Sequence, residues 1–213
     1  MPYVIRSRGV RRATGTLLGA AALVLSLLPA TARADSTCPV QGATQPFQEF
    51  GDSADYFPVP NGGLELGSTG WELSNARVVE ETDPFHVGPE SDTRSLAISS
   101  GGTAVSPSIC VCAEHPTFRF IAYQPEGPGN ADLKVSVRYI TQRGELQDKQ
   151  LATYDGKRWE EWKPTPPEDL YGKLGVSGSS QTTTAWFVFE VEKRKTATPW
   201  YIDDLYFDPY RRR

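Results

Sequence analysis

Leu133-Lys134-Val135-Ser136-Val137-Arg138-Tyr139-Ile140 decides the fold class. Side chains along a strand point alternately to opposite faces. Leu133, Val135, Val137 and Tyr139 therefore make one apolar face, and Lys134, Ser136, Arg138 and Ile140 the other. Apolar residues at every second position from Leu133 to Tyr139 match the period of a strand. The same alternation recurs on both sides. In Thr117–Gln124, Phe118, Phe120 and Ala122 oppose Arg119, Ile121 and Tyr123; in Thr184–Glu192, Phe187, Phe189 and Val191 oppose Trp186, Val188 and Glu190.

Further short segments rich in β-branched or aromatic residues are Trp71–Glu80, Arg94–Ser99, Thr103–Cys112, Leu146–Tyr154 and Trp200–Phe207. Turn formers separate them, among them Asp83-Pro84, Gly101-Gly102, Gly127-Pro128-Gly129-Asn130, Arg143-Gly144 and Asp155-Gly156. Many short strands with regular turns predict an all-β protein, a two-sheet jelly-roll (galactose-binding-like) sandwich. Only Pro164–Leu174 carries a helix-start signal, with Pro167 ahead of Glu168 and Asp169. Residues 35–60 read as an N-terminal arm lying on the sandwich, anchored by Phe47, Phe50, Tyr56 and Phe57. The sandwich takes residues 61–210, and Arg211-Arg212-Arg213 reads as a solvated basic tail.

The first 34 residues read as a signal peptide. Arg6, Arg8, Arg11 and Arg12 precede the apolar run Leu17–Leu28, and Ala32-Arg33-Ala34 gives a small-x-small cleavage site before Asp35. The apolar run is shorter than the ~18 residues a spanning helix needs, and no second one follows. Secretion is therefore expected, with no transmembrane segment after cleavage. Residues 1–34 hold five of the 22 basic residues and none of the 26 acidic ones, so the exported chain has a formal charge of −9. That sign argues against nucleic acid as a partner.

Three cysteines, Cys38, Cys110 and Cys112, lie in the exported part, where one intrachain disulfide can form. Cys110 and Cys112 are two apart on one strand face and poorly placed to join each other. Cys38–Cys110 is the preferred bridge and Cys38–Cys112 the alternative. His86 and His115 show no metal-ligand spacing with the cysteines. No nucleophile elbow, zinc-protease motif or phosphate-binding loop is present. The neighbouring acids Glu80-Glu81-Asp83 and Glu160-Glu161 read as solvated edges, so a non-enzyme is expected.

Flat aromatics beside hydrogen-bonding charges suit sugar rings, which have an apolar face and a hydroxyl rim. If the strands carrying them are neighbours, Arg119, Tyr123, Arg138 and Trp186 form one open surface of that kind. The competing reading has residues 35–60 covering Trp186. Asn61-Gly62-Gly63-Leu64-Glu65, Gly70-Trp71 with Ala76, Ser95-Leu96-Ala97-Ile98 and Tyr201-Ile202-Asp203-Asp204-Leu205 together resemble the signature of jelly-roll carbohydrate-binding modules of xylanases and cellulases. Leu64 stands where that pattern usually has Phe. The chain also resembles a set of short uncharacterised secreted proteins of high-GC Gram-positive bacteria. They share a Cys near the mature N-terminus, a segment like Ser91-Asp92-Thr93-Arg94-Ser95-Leu96, the run Ser106-Pro107-Ser108-Ile109-Cys110-Val111, and a close like Ile202–Tyr210. The first resemblance implies glycan or cell-envelope polysaccharide binding, and a structural calcium held by Glu65 and Asp203. The alternative function is a structural or protein-interaction domain, with a surface protein as partner and no sugar site.

Overall fold

The computed structural model describes residues 38, 42–85, 87–112, 117–170, 173–174 and 182–208. Residues 1–34, expected to be a signal peptide, His86, His115 and the C-terminal arginines lie outside them. The described residues belong to one unit, Asp35–Arg213. It is all-β, and none of its described helices is long and apolar enough to cross a membrane.

Among the described residues, eleven strands run in chain order: β1 (Phe57–Pro58), β2 (Glu72–Val79), β3 (Ser95–Val105), β4 (Ile109–Cys112), β5 (Thr117–Tyr123), β6 (Leu133–Ile140), β7 (Leu146–Tyr154), β8 (Lys163–Pro164), β9 (Glu168–Asp169), β10 (Thr182–Val191) and β11 (Trp200–Phe207). They hydrogen-bond into one curled sheet in the order β7-β6-β10-β3-β11-β5-β8. All the strand-to-strand ladders are antiparallel.

The curl comes from β3, which serves both layers of the jelly-roll sandwich. Its start, Leu96–Ile98, pairs with β11, and its end, Thr103–Val105, pairs with β10. Gly101-Gly102 was expected to be a turn between two strands; instead it bends one continuous strand. Gly101 takes φ +73, and a Cβ on Gly102 would stand 2.5 Å from the Asn75 carbonyl oxygen, so glycine is required at both positions. On the neighbouring β2 the register shifts between Ser74 and Ala76. There Asn75 (φ 51) donates from Nδ2 to the Ser100 carbonyl at 3.0 Å. The bend and bulge together carry the hairpin from one layer to the other.

Across the core the layers meet through aromatic rings. Phe118 and Phe120 on β5 face Phe187 and Phe189 on β10, with centroids 4.7 and 5.3 Å apart. Strands that never share a ladder thus touch face to face, as a sandwich requires. Leu133, Val135, Val137 and Tyr139 are buried in the same cluster. Trp200 is fully buried there and donates its indole N–H to the Ala131 carbonyl at 2.7 Å.

The expected helix at Pro164–Leu174 is not formed over residues 163–170. β8 and β9 extend there and pair with β5, and Thr165 N donates to the Phe120 carbonyl at 2.8 Å between them. Tertiary pairing overrides the local helix-start signal. Cys38 is bonded to Cys110 across a sequence separation of 72, and Cys112 is buried.

Candidate functional site

The four residues expected to share one surface fall on two. β6 and β10 are neighbours, with Trp186 directly opposite Arg138. β5 lies three ladders away from β10, past β3 and β11. Because the Phe faces of β5 and β10 meet in the core, Tyr123 and Arg119 point to the opposite outer side of the sandwich from Trp186 and Arg138. Alternation assigns faces within a strand but carries no information on which strands are adjacent.

Arg119 is also withdrawn from solvent, at 5% exposure. Phe47, Tyr56, Ile121 and Tyr206 form a second buried cluster on this side, with Phe47 centred 5.1 Å from Tyr56 and 5.7 Å from Tyr206. Arg119 sits beneath it. Its guanidinium lies 4.4 Å from the Phe47 ring centre, its Nη1 pairs with Asp52 Oδ2 at 2.8 Å, and its Nε donates to the Thr165 carbonyl at 2.7 Å. Burial works against the Asp52 carboxylate. Hydrogen bonds from the Tyr56 hydroxyl, the Ala54 amide and Arg119 outweigh it and hold its pKa below the ordinary value. Arg119 therefore fastens the arm. Phe47, Tyr56 and Phe57 of the arm lie against β5 and β11, the layer opposite Trp186.

Where the arm stops, the outer face of this layer remains accessible. The ladders align Arg77, Ala97, Tyr201 and Tyr123 as direct neighbours on β2, β3, β11 and β5. Ala97 is small and buried, so it forms the floor between Arg77 and the tyrosines. The Tyr201 and Tyr123 rings stack with centroids 4.8 Å apart, 23° between planes. Trp162, just before β8, tilts over Tyr123 at 4.4 Å and meets Tyr201 edge-on at 6.4 Å. All three rings are half-buried.

Charged groups rim this strip. The Tyr123 hydroxyl donates to Glu81 Oε1, and Glu81 and Arg77 are exposed. Burial and then Glu81 push the Tyr123 phenol upward; Tyr201 is raised by burial and Glu81 against the opposing pull of Arg77. Both phenols therefore stay protonated donors. An aromatic strip with a carboxylate and a guanidinium at its edge can hold the apolar face of a sugar ring and bond its hydroxyls. The strand pattern of Trp200-Tyr201-Ile202 carried the signal for Tyr201, opposite two core residues. Arg77, Glu81 and Trp162 had no such signal, because their proximity depends on the ladder order and on loop placement.

On the other layer, Trp186 is half-buried beside the Arg138–Asp148 ion pair, Nε to Oδ1 2.9 Å. Glu72 and Glu190 also act on Arg138. Apart from Trp186, this face carries charges rather than an aromatic strip.

The calcium donors implied by the resemblance are committed to separate partners. Glu65 Oε1 accepts from the Thr93 and Arg94 amides at 2.7 and 2.8 Å, and Arg94 Nη1 donates to the Glu65 carbonyl at 3.0 Å. Asp203 accepts from Thr82 Oγ1, Asp83 N and Asp204 N at 3.2, 3.4 and 2.8 Å. The charges acting on Asp203 are Asp204 and Asp83. These bonds give Glu65 and Asp203 no partner in common. Among the described residues, no three His, Cys, Asp or Glu side chains form a ready metal-holding group.

No protein-family model matches the chain. No curated protein matches it either. Solved structures do. The chain is similar to the CBM22-1–GH10 modules of Clostridium thermocellum endo-1,4-beta-D-xylanase 10B, complexed with xylohexaose, at 15% identity and TM-score 0.49; 74% of this chain aligns with 29% of that one. It is similar to the N-terminal CBM22-1–CBM22-2 tandem domain of Paenibacillus barcinonensis Xyn10C at 17% identity and TM-score 0.49, over 75% of this chain and 46% of that one. It is also similar to TmCBM61 in complex with beta-1,4-galactotriose, at 17% identity and TM-score 0.41, over 72% of this chain and 99% of that one.

Proposed function

We propose that this protein is a secreted, non-catalytic glycan-binding module, and that its ligand is a polysaccharide chain lying along Tyr201, Tyr123 and Trp162. The observation that carries the reading is the stacked Tyr201–Tyr123 pair with Trp162 beside it, half-exposed on a sheet face whose remainder the arm covers. Pyranose rings pack on such faces through their C–H groups, while Arg77 and Glu81 stand where equatorial hydroxyls need a donor and an acceptor. The strip is an open face, which suits an extended polymer that enters and leaves along the sheet. Trp186 and Arg138, on the opposite layer, are no part of this surface.

The reading is tested by affinity electrophoresis through gels containing a panel of soluble plant and bacterial polysaccharides. Wild-type protein is retarded by at least one of them, and Tyr201→Ala migrates there as it does in a plain gel. Free migration of the wild type in every gel refutes the proposal.

A further inference from the structure

Among the described residues, three arginines lie on strands: Arg77 on β2, Arg119 on β5 and Arg138 on β6. Two of them are matched by an aspartate. Arg119 pairs with Asp52, and Arg138 with Asp148, its direct ladder neighbour. Arg77 is different: no ion pair among the described residues reaches it. Its direct neighbour is Ala97, and the next rung of the same face is Val79 and Ser95. None of these three side chains carries a charge. Arg77 is exposed, so its guanidinium stands at the surface without a carboxylate from the sheet to compensate it.

Arg77 also opens the row that Tyr201 and Tyr123 continue. Tyr201 is two ladders away, roughly 10 Å at the usual strand spacing, and the side chain between them in the row is the Ala97 methyl. The Arg77 charge acts on the Tyr201 phenol, which stays protonated and is a second donor beside it. The acceptor of the strip stands at the other end, where Glu81 takes the Tyr123 hydroxyl proton. Donors therefore gather at the Arg77 end of the row. A neutral sugar offers that end hydroxyls alone. A hexuronic acid offers a carboxylate on C5, equatorial and hence close to the plane of its ring. When such a ring lies flat on an aromatic face, the carboxylate points along the sheet rather than into it. A guanidinium forks both oxygens of a carboxylate at once, which a hydroxyl donor does not.

We propose, on the basis of the glycan-binding reading above, that the strip selects acidic polysaccharides, with a uronic-acid residue stacked on Tyr201 and its carboxylate held by Arg77. An exposed ion pair contributes little by itself in water. Stacking therefore supplies most of the affinity, and Arg77 supplies the choice between acidic and neutral chains. Glu81 fixes the register of the same choice, because it repels a carboxylate from the Tyr123 end.

Affinity electrophoresis through polygalacturonate, polyglucuronate and alginate, each run beside the same polymer with its carboxyls reduced to alcohols, tests the choice. At least one polyuronate retards the wild type, and its reduced form binds at least fivefold more weakly. Arg77→Gln loses at least fivefold in that polyuronate at an unchanged thermal midpoint, since Arg77 is exposed. Lys195→Gln removes the same unit charge from the β10–β11 turn and stays within twofold of wild type, which separates a local carboxylate contact from bulk attraction to a polyanion. Equal retention by acidic and reduced forms, equal losses in the two variants, or polyuronate binding that survives Arg77→Gln overturns the proposal. A wild type retarded by neutral polymers alone also overturns it while the glycan-binding reading stands. Free migration in every gel, acidic and neutral, removes both.

Discussion

Tyr201 stands directly opposite Tyr123 in the β11–β5 ladder, and the two rings stack with centroids 4.8 Å apart. Two ladders further across the sheet, past Ala97, the same row ends in Arg77. A sheet places side chains of one face at fixed strand spacings, about 4.8 Å apart, so the row is a rigid array. Ligand residues on a rigid array lose little entropy on binding, which concentrates affinity in few contacts. Arg119 sits on the same strand as Tyr123, four residues earlier, yet serves the arm.

That division of labour predicts different phenotypes for two neighbouring residues. Asp52→Ala leaves Arg119 charged and buried without its partner. It should cost about 3–5 kcal/mol in urea unfolding, the range for breaking a buried ion pair. Tyr201→Ala removes a half-buried ring and should cost at most about 2 kcal/mol. Equal small losses for both would mean that the arm is not fastened through Arg119.

Acid stability should report the same ion pair. The Asp52 pKa is lower in the folded chain than its ordinary 3.8, so its contribution is present above pH ~4 and is lost as pH falls through the folded value. The stability difference between wild type and Asp52→Asn should therefore be largest at neutral pH and shrink toward pH 2. A difference that stays constant across that interval would show that Asp52 does not ionise in the folded pair.

How much of this was legible beforehand depends on the range of each interaction. Alternation gave the core-facing residues of β5, β6 and β10, although Arg119, Ile121 and Val188 on the opposite faces are buried too, and β7 and β11 run over the limits expected. Gly101-Gly102 carries the same local signal for a turn as for a bend, and only the pairing of β3 with both β11 and β10 distinguishes them. Likewise Pro167-Glu168-Asp169 opens a helix locally but is held extended by β5. At the candidate site, Tyr123 keeps its place while Arg119 does not, because Asp52 lies 67 residues away in sequence. Arg138 and Trp186 were grouped with Tyr123 by face alone, and ladder order separates them.

The disulfide makes a prediction about the unfolded chain. Cys38–Cys110 closes a loop of 72 residues, which in the chain-entropy model stabilises the fold by about 4 kcal/mol. Reduction, or Cys38→Ser, should lower the urea midpoint accordingly with little change in the aromatic strip, since neither cysteine touches it. A stability loss below about 1 kcal/mol would show that the bridge constrains little in the unfolded ensemble.

Calorimetry distinguishes ligand binding at Tyr201, Tyr123 and Trp162 from binding on the opposite layer. The soluble oligosaccharide from whichever polysaccharide retains the protein is titrated into wild type, Tyr201→Ala and Trp186→Ala, all with matched thermal midpoints. Tyr201→Ala should weaken binding at least tenfold, about 1.4 kcal/mol, and Trp186→Ala should stay within twofold of wild type. Binding that survives Tyr201→Ala and is lost in Trp186→Ala would place the ligand on the opposite layer and contradict the assignment to Tyr201.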